Sequence, residues 1–232
     1  MEAIILAGGF GTRLRQVVSD VPKPMAPMDD KGTPFLTFIL NDLYKAGFSH
    51  VVLAVGYMHE VIIRYYGDNY KGMRLSYSIE DKPLLTGGAI RQAMNSCHEN
   101  RVFVLNGDTY FQVDYNKMVD YCKQKNVDIL LSLKEMNDFD RYGTVEEKSG
   151  RIISFNEKKF SHHGLINGGV YYMNRSLLKD ENKKFSFEEY LSLNIELLEI
   201  YGIKDRGFFV DIGIPSDYNT AKKYFSAYEE MS

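Results

Sequence analysis

The sequence predicts an α/β fold: a three-layer α/β/α sandwich with a mixed, mostly parallel, Rossmann-like central sheet and a small inserted β portion. Short apolar runs alternate with amphipathic segments through the first half of the chain. Two later segments flank Lys148-Ser149-Gly150, which is a typical hairpin turn. Polar residues directly follow several apolar runs, as they do where parallel strands end at a ligand-binding edge.

The first half of the chain is predicted to alternate strands with helices. Glu2–Leu6 is a short apolar run and therefore a strand. Thr33 and Pro34 provide the cap and first turn of a helix that Gly47 ends. The other predicted strands span residues 50–55, 74–79, 101–105 and 127–134, and the other helices span 60–66, 86–97 and 114–125. This alternation predicts a largely parallel sheet with helices on both faces.

The second half is predicted to add antiparallel strands. Residues 144–147 and 151–157 form the hairpin, and 165–173 form a longer strand. Ser186 and Glu189 make a capping box for a helix to residue 198. A strand over 207–210 and a helix after Pro215 complete the chain. Without repeats or a change in composition, we expect one domain over residues 1–232.

Composition excludes several classes of protein. The chain has 232 residues, 44% hydrophobic residues and a net charge of −3, so neither nucleic acid nor an anionic membrane is an expected partner. Cys97 and Cys122 are the two cysteines, and their spacing favours reduced packing residues over a disulfide scaffold or a zinc site. With no signal peptide and no long apolar run, we expect a cytoplasmic protein. The 17 Tyr and 14 Phe residues suit a core or a homo-oligomer interface equally.

A glycine-rich loop follows the first predicted strand. Its sequence is Leu6-Ala7-Gly8-Gly9-Phe10-Gly11-Thr12-Arg13. It is neither a dinucleotide fingerprint nor a Walker A motif, but glycines let backbone N–H groups approach an anion closely. Arg13 and Lys23 add positive charge, and the prolines on both sides of Lys23 restrict its backbone. The loop predicts a nucleoside triphosphate site; the alternative is an ordinary turn with solvated cations.

Two aspartates directly follow apolar strands. Asp108 follows 101–105 and Asp211 follows 207–210, so both are expected at carboxyl ends of strands. Together they can hold Mg²⁺, which prefers oxygen ligands and triphosphates. The alternative for each is a turn or cap residue. Glu157-Lys158 and Thr86-Gly87-Gly88 are weaker candidates, with a solvated charge pair and close helix packing as their alternatives.

The chain resembles the sugar-phosphate nucleotidyltransferases, also called NDP-sugar pyrophosphorylases. The resemblance covers nearly the whole chain and lies in the glycine loop and four further motifs, in family order: Pro22-Lys23-Pro24-Met25, Asn106-Gly107-Asp108-Thr109, Phe155-Asn156-Glu157-Lys158 and Asp211-Ile212-Gly213-Ile214-Pro215. Residues 136–145 and 164–169 most resemble the guanylyltransferases acting on D-glycero-α-D-manno-heptose 1-phosphate.

The resemblance implies the reaction of a sugar 1-phosphate with an NTP, by in-line attack on the α-phosphate with Mg²⁺, to give an NDP-sugar and pyrophosphate. GTP and GDP-heptose, for capsule or surface polysaccharide, are the expected substrate and product. Arg13 would bind the leaving β- and γ-phosphates, Lys23 the α-phosphate and Lys158 the sugar phosphate, and Asp108 and Asp211 would hold the metal. The implied nucleotide-binding residues are Leu6, Ala7, Gly8, Gly9, Gly11, Thr12, Arg13, Lys23, Gly87 and Gly88. The implied sugar-phosphate residues are Asn106, Gly107, Gly143, Glu157, Lys158, Asn167 and Gly168.

Some departures from the family pattern bear on the substrate. Many members have glycine before Thr-Gly-Gly, where this chain has Leu85, and proline after Glu-Lys, where it has Lys159. Two alternatives therefore stay open: a thymidylyl-, cytidylyl- or uridylyltransferase for a hexose 1-phosphate, and a non-catalytic nucleotide-sensing subunit. A GT-A glycosyltransferase is disfavoured, because Asn106-Gly107-Asp108 is not Asp-x-Asp.

Overall fold

A computed structural model describes residues 1–9, 14, 18 and 20–229, excluding the side chains of Tyr228 and Glu229. The described helices are α1 Phe35–Lys45, α2 His59–Tyr66, α3 Leu85–Ala93, α4 Tyr115–Gln124, α5 Phe187–Leu193 and α6 Pro215–Glu229. The described strands are β1 Glu2–Leu6, β2 His50–Val55, β3 Asn69–Tyr70, β4 Met73–Ile79, β5 Arg101–Asn106, β6 Thr109–Phe111, β7 Ile129–Phe139, β8 Gly143–Lys148, β9 Arg151–Lys158, β10 Ser161–Asn174, β11 Ile200–Asp205 and β12 Phe209–Asp211. Short 3₁₀ turns cover Lys23–Met25 and Met94–Ser96.

The central sheet is mixed, which confirms the predicted class. Its antiparallel pairings outnumber its parallel ones, so the prediction of a mostly parallel sheet is wrong, because the long strands β7 and β10 and the β8–β9 hairpin pair mainly antiparallel. Its strand order is β3-β4-β2-β1-β5-β10-β7-β11-β9-β8. Strands β4, β2, β1 and β5 run parallel, as do β7 and β11, and the other pairings are antiparallel. A further pairing between β8 and β10 closes the antiparallel end into a ring of five strands, which contains the predicted hairpin.

Alternating side chains divide the core into two layers. In β1, Ala3 and Ile5 join the layer that contains α1, α2, α4 and α6, whereas Ile4 joins the layer with α3 and α5. Strand side chains alternate between faces with period two, so a strand of consecutive apolar residues must be covered on both sides. The arrangement confirms the three-layer α/β/α sandwich.

Several element boundaries differ from the prediction. Helix α1 begins after Pro34 with no side-chain cap, so Thr33 does not cap it, whereas Gly47, with φ +79°, ends it as expected. Helix α5 starts at the predicted Ser186 cap but ends at Leu193 instead of residue 198. Strand β11 was not predicted, because Gly202 interrupts its apolar pattern. Glycine fits at this position because an added Cβ would lie 2.3 Å from the Leu133 side chain.

No helix in the described part of the chain combines the length and apolar character needed to span a membrane.

Candidate active site

A cavity of about 770 Å³ opens at the carboxyl ends of the four neighbouring parallel strands. The segments that follow β1, β2, β4 and β5 contribute, in turn, residues 6–9, Gly56, Glu80 and Asp108 to its lining. Parallel strands end at one edge of a sheet, so these segments meet although they are far apart in sequence. The predicted ligand-binding edge is therefore where the cavity lies.

Backbone segments approach closely at two glycines beside the cavity. Gly107 donates its N–H to the carbonyl of Leu6 at 2.9 Å, and an added Cβ there would lie 2.5 Å from that oxygen. An added Cβ on Gly8 would lie 2.6 Å from Oε1 of Glu80. Glycine at these positions lets the β1 and β5 loops and the Glu80 side chain share one small region.

Lys23 joins the two predicted metal ligands. Its Nζ lies 2.6 Å from Oδ2 of Asp108 and 3.9 Å from Oδ1 of Asp211. The lysine side chain is 11% exposed, compared with 43% for Asp108 and 20% for Asp211. Pro22 precedes the 3₁₀ turn that places Lys23, and Pro24 lies within it. The structure thus brings together three charged residues predicted from separate motifs.

The small antiparallel pair of β6 and β12 places these two aspartates side by side. In its register Asp211 faces Thr109, and the N–H of Ile212 donates to the carbonyl of Asp108 at 3.0 Å. Burial, followed by the nearby charge of Asp108, raises the pKa of Asp211. Two carboxylates so close together favour a cation between them.

Arg141 contacts Asp211 from the turn between β7 and β8. One guanidinium nitrogen lies 3.8 Å from Oδ2 of Asp211, and another pairs with Asp217 in the first turn of α6. The N–H of Gly213 donates to Oδ1 of Asp211 at 2.6 Å. Asp211 is therefore held in place from three directions, by Lys23, Arg141 and its own turn.

The donor set fits Mg²⁺. Among the described residues, no group of three or more His, Cys, Asp or Glu side chains could hold a metal ion. Mg²⁺ in nucleotide sites is commonly held by one or two carboxylates, with water and substrate phosphates as its other ligands. Asp108 and Asp211 match that requirement.

The cavity is also lined by apolar residues and by the half-buried carboxylate of Glu80. The apolar residues are Ile79, Pro83, Leu85 and Ala89. Oε2 of Glu80 accepts the N–H of Leu84 at 3.0 Å, and burial raises the pKa of this carboxyl group. A mostly apolar surface with a few polar groups is typical of a small-molecule site.

Some predicted nucleotide-binding residues line the cavity and others do not. Leu6, Ala7, Gly8, Gly9 and Lys23 do. Gly11, Thr12 and Arg13 lie outside the described residues, so their predicted roles stay predictions.

Gly87 and Gly88 are buried in the first turns of α3, which lines the cavity through neighbouring residues. An added Cβ on Gly87 would lie 2.3 Å from the Phe185 ring, and one on Gly88 would lie 2.3 Å from the carbonyl oxygen of Lys183. Their visible role is close packing, the alternative given in the sequence analysis.

The predicted sugar-phosphate residues are spread more widely. Asn106 lines the cavity. Gly143 pairs with the exposed Lys158 across the β8–β9 hairpin, two residues from Arg141, and Glu157 is exposed beside it. The hairpin therefore begins close to the contact between Arg141 and Asp211, but its residues do not line the cavity.

Asn167 and Gly168 lie at an irregular step of β10. The Asn167 side chain accepts the N–H of Gly169 and donates to the hydroxyl of Tyr171, and an added Cβ on Gly168 would lie 2.5 Å from the Phe111 ring. These contacts shape the bulge in β10 near Asn106, because Gly169 packs on the Asn106 side chain.

Sequence reasoning missed Glu80 and Arg141 as site residues. Glu80 directly follows β4, just as Asp108 follows β5, so the strand-end pattern could have identified it. Arg141 carries no such pattern, because its contact with Asp211 depends on the path of the β7–β8 turn.

A family model described as nucleotidyl transferase matches residues 2–226. The chain belongs to the nucleotidyl transferase family. It is 47% identical to a D-glycero-alpha-D-manno-heptose 1-phosphate guanylyltransferase from Aneurinibacillus thermoaerophilus, over 98% of this chain and all of that protein. The protein of the same name from Campylobacter jejuni is 48% identical, over 94% of this chain and 97% of that one. Among solved structures, HddC from Yersinia pseudotuberculosis complexed with GMP-PN has a TM-score of 0.85 and 34% identity, covering 97% of this chain and 99% of that one.

Proposed function

We propose that the protein joins a sugar 1-phosphate to the nucleoside monophosphate part of an NTP and releases pyrophosphate. One observation carries the proposal: Lys23, Asp108 and Asp211 meet beside a cavity at the carboxyl ends of parallel strands. A cation-binding pair of carboxylates next to a lysine suits a bound polyphosphate.

The reaction needs charge neutralisation more than it needs a base. The sugar phosphate is already an anionic nucleophile at neutral pH, and its approach to a triphosphate is opposed by repulsion between the two. Lys23 would neutralise the α-phosphate, and Arg13 and Lys158 would bind the leaving phosphates and the sugar phosphate. Mg²⁺ held by Asp108 and Asp211 would supply further neutralisation of phosphate charge. Positioning and electrostatics then provide most of the rate, as in other phosphoryl transfers.

The relatives support GTP and D-glycero-α-D-manno-heptose 1-phosphate as the substrates. Two proteins named as guanylyltransferases for this sugar phosphate match at 47% and 48% identity over nearly the full length of each chain. The bound GMP-PN in the Yersinia structure supports a guanine nucleotide. The free Cys97 and Cys122 support the cytoplasm as the place of reaction, and the family match over 2–226 supports one nucleotidyltransferase domain.

Product analysis tests this proposal. The protein is incubated with each of GTP, ATP, CTP, UTP and dTTP, combined with the heptose 1-phosphate, mannose 1-phosphate or glucose 1-phosphate, with Mg²⁺. We expect a GDP-sugar and pyrophosphate chiefly from GTP and the heptose phosphate. Preferential turnover of dTTP, CTP or UTP would contradict the base assignment, and nucleotide binding without pyrophosphate release would favour a non-catalytic sensor.

A further inference from the structure

A second cavity, of about 290 Å³, lies at the other end of α3 from the large one. The beginning of α3 lines the large cavity through Leu85 and Thr86, whereas Arg91 and the 3₁₀ turn after the helix line the second. The segment after β10, over residues 175–179, forms its other wall. In the described part of the chain the two cavities share no lining residue, so the second one is separate from the candidate active site.

Three cationic side chains line this second cavity: Arg91, Arg175 and Lys179. Among the described residues no carboxylate lines it, and neither arginine forms an ion pair. Lys179 lies 3.9 Å from Asp180, but both of these side chains are mostly exposed to solvent. Like charges that converge without a counter-ion repel one another, so a bound anion would relieve this repulsion.

Arg91 also carries a buried donor beside this cavity. Its Nε is shielded from solvent, and no described residue accepts a hydrogen bond from it. One of its terminal nitrogens donates to the carbonyl of Lys179 at 3.3 Å, and Arg175 donates to the carbonyl of Cys97 at 3.1 Å, so both guanidinium groups are held by the backbone. Buried donors are nearly always satisfied by protein, water or an ion. An unpaired one among three cations therefore points to an anionic acceptor.

We propose that this cavity binds a phosphoryl dianion, either inorganic phosphate or a small phosphomonoester, through Arg91, Arg175 and Lys179. The planar fork of a guanidinium matches phosphate oxygens, and three cations offset the charge of the dianion. Met94 and Leu178 add apolar surface, which suits the carbon part of an ester. Small-molecule sites usually have volumes of about 300–1,000 Å³, so this one suits a compact ligand better than a nucleotide.

Calorimetry with inorganic phosphate, at fixed ionic strength, tests the site. Arg91→Gln removes the buried donor and should weaken phosphate binding by about 10-fold or more. Lys179→Met removes a charge from a side chain that is 70% exposed, so the fold should be preserved, and it should weaken binding by about 5-fold or more. Lys123→Met is the matched control, because Lys123 is also 70% exposed and pairs with an aspartate, but lies on α4 in the opposite layer. It should leave the Kd for phosphate unchanged.

Lys23→Met separates this site from the candidate active site, which is also suited to phosphate groups. The second cavity should keep its phosphate binding in Lys23→Met, and adding Arg91→Gln to that variant should remove it. Binding that is lost in Lys23→Met but kept in Arg91→Gln and Lys179→Met would overturn the proposal. So would the absence of phosphate binding to the wild type.

Glycerol 3-phosphate distinguishes the two sources of the phosphoryl group. Tighter binding than that of inorganic phosphate, weakened by Arg91→Gln, would support a phosphomonoester in contact with Met94 and Leu178. Equal or weaker binding, with the same sensitivity to Arg91→Gln, would support inorganic phosphate. These titrations involve no turnover, so the proposed reaction and this site can fail independently of each other.

Discussion

Replacing Lys23 with methionine removes the cation that pairs with both aspartates. At an effective dielectric constant of about 20, the contact of 2.6 Å with Asp108 is worth up to about 6 kcal/mol, and the contact of 3.9 Å with Asp211 up to about 4 kcal/mol. Desolvation of the lysine and solvent screening of Asp108, which is 43% exposed, offset much of this attraction. We therefore expect Lys23→Met to lower the free energy of unfolding by about 2–3 kcal/mol.

Mg²⁺ should restore much of that loss. With the lysine removed, the two carboxylates repel each other, so a divalent cation should bind them more tightly in the variant. An ion that binds only the folded state at 100 times its Kd stabilises that state by about 2.7 kcal/mol. Activity should nevertheless stay about 10²–10³-fold below wild type, because under the proposed function Lys23 neutralises the α-phosphate and Mg²⁺ bound to the aspartates would not take over that role.

Urea denaturation with and without Mg²⁺ measures both effects. Lys204→Met is the matched control, since Lys204 pairs with Glu147 at 3.0 Å but is 57% exposed, and its strand β11 is separated from β5, which precedes Asp108, by β10 and β7. It should lose less than about 1 kcal/mol, with no added response to Mg²⁺. A Lys23→Met variant as stable as wild type, or one that Mg²⁺ stabilises no more than wild type, would refute the reasoning.

Substitutions at three other positions test separate parts of the molecule. Arg13→Ala should lower kcat for pyrophosphate release about 10²–10³-fold with Tm unchanged; a loss of less than about threefold would contradict its phosphate-binding role. Burial lowers the pKa of His50 in the folded state. As pH falls below about 6.5, the unfolded state therefore takes up a proton that the folded state does not, and the free energy of unfolding drops. The urea midpoint of His50→Gln should change less than that of wild type between about pH 7.5 and 5.5. An added Cβ on Gly143 would lie 2.1 Å from the carbonyl oxygen of Asn156, so Gly143→Ala should destabilise by about 2 kcal/mol or more; Gly9→Ala, where a Cβ meets nothing within 4 Å, should leave the urea midpoint nearly unchanged.

The sequence predicts the parallel half of the fold better than the antiparallel half. Strands β1, β2 and β5 are apolar runs, and β4 alternates apolar with polar residues; each is predicted within a residue or so of its observed bounds. Strands β7 and β10 extend to Phe139 and from Ser161, well beyond the predicted 127–134 and 165–173. These extensions pair mainly with each other and are rich in polar residues, so no apolar pattern marks them.

The site is predictable where local sequence determines position. Asp108 and Asp211 were expected at strand ends, and the β6–β12 pairing brings them together. Sequence could not show that Lys23 lies between them, because that placement depends on contacts over 85 residues of chain. Lys158 shows the reverse difficulty: its motif is recognisable, yet its relation to the aspartates depends on how the β8–β9 hairpin extends from the sheet.

Backbone strain shows why residues near the cavity are hard to interpret from sequence. Among described non-glycine residues, Met58, Lys71, Leu85, Asp138 and Ser149 have positive φ. Lys71 and Ser149 lie in tight turns between paired strands, where this conformation is ordinary. Met58 precedes α2 between the cavity-lining Tyr57 and His59, and Leu85 lines the cavity itself, so two bulky apolar residues carry strain at one site. A sequence optimised for folding alone would place glycine at Leu85. Glycine would relieve the strain at Leu85, so turn rules alone predict the wrong residue at this position.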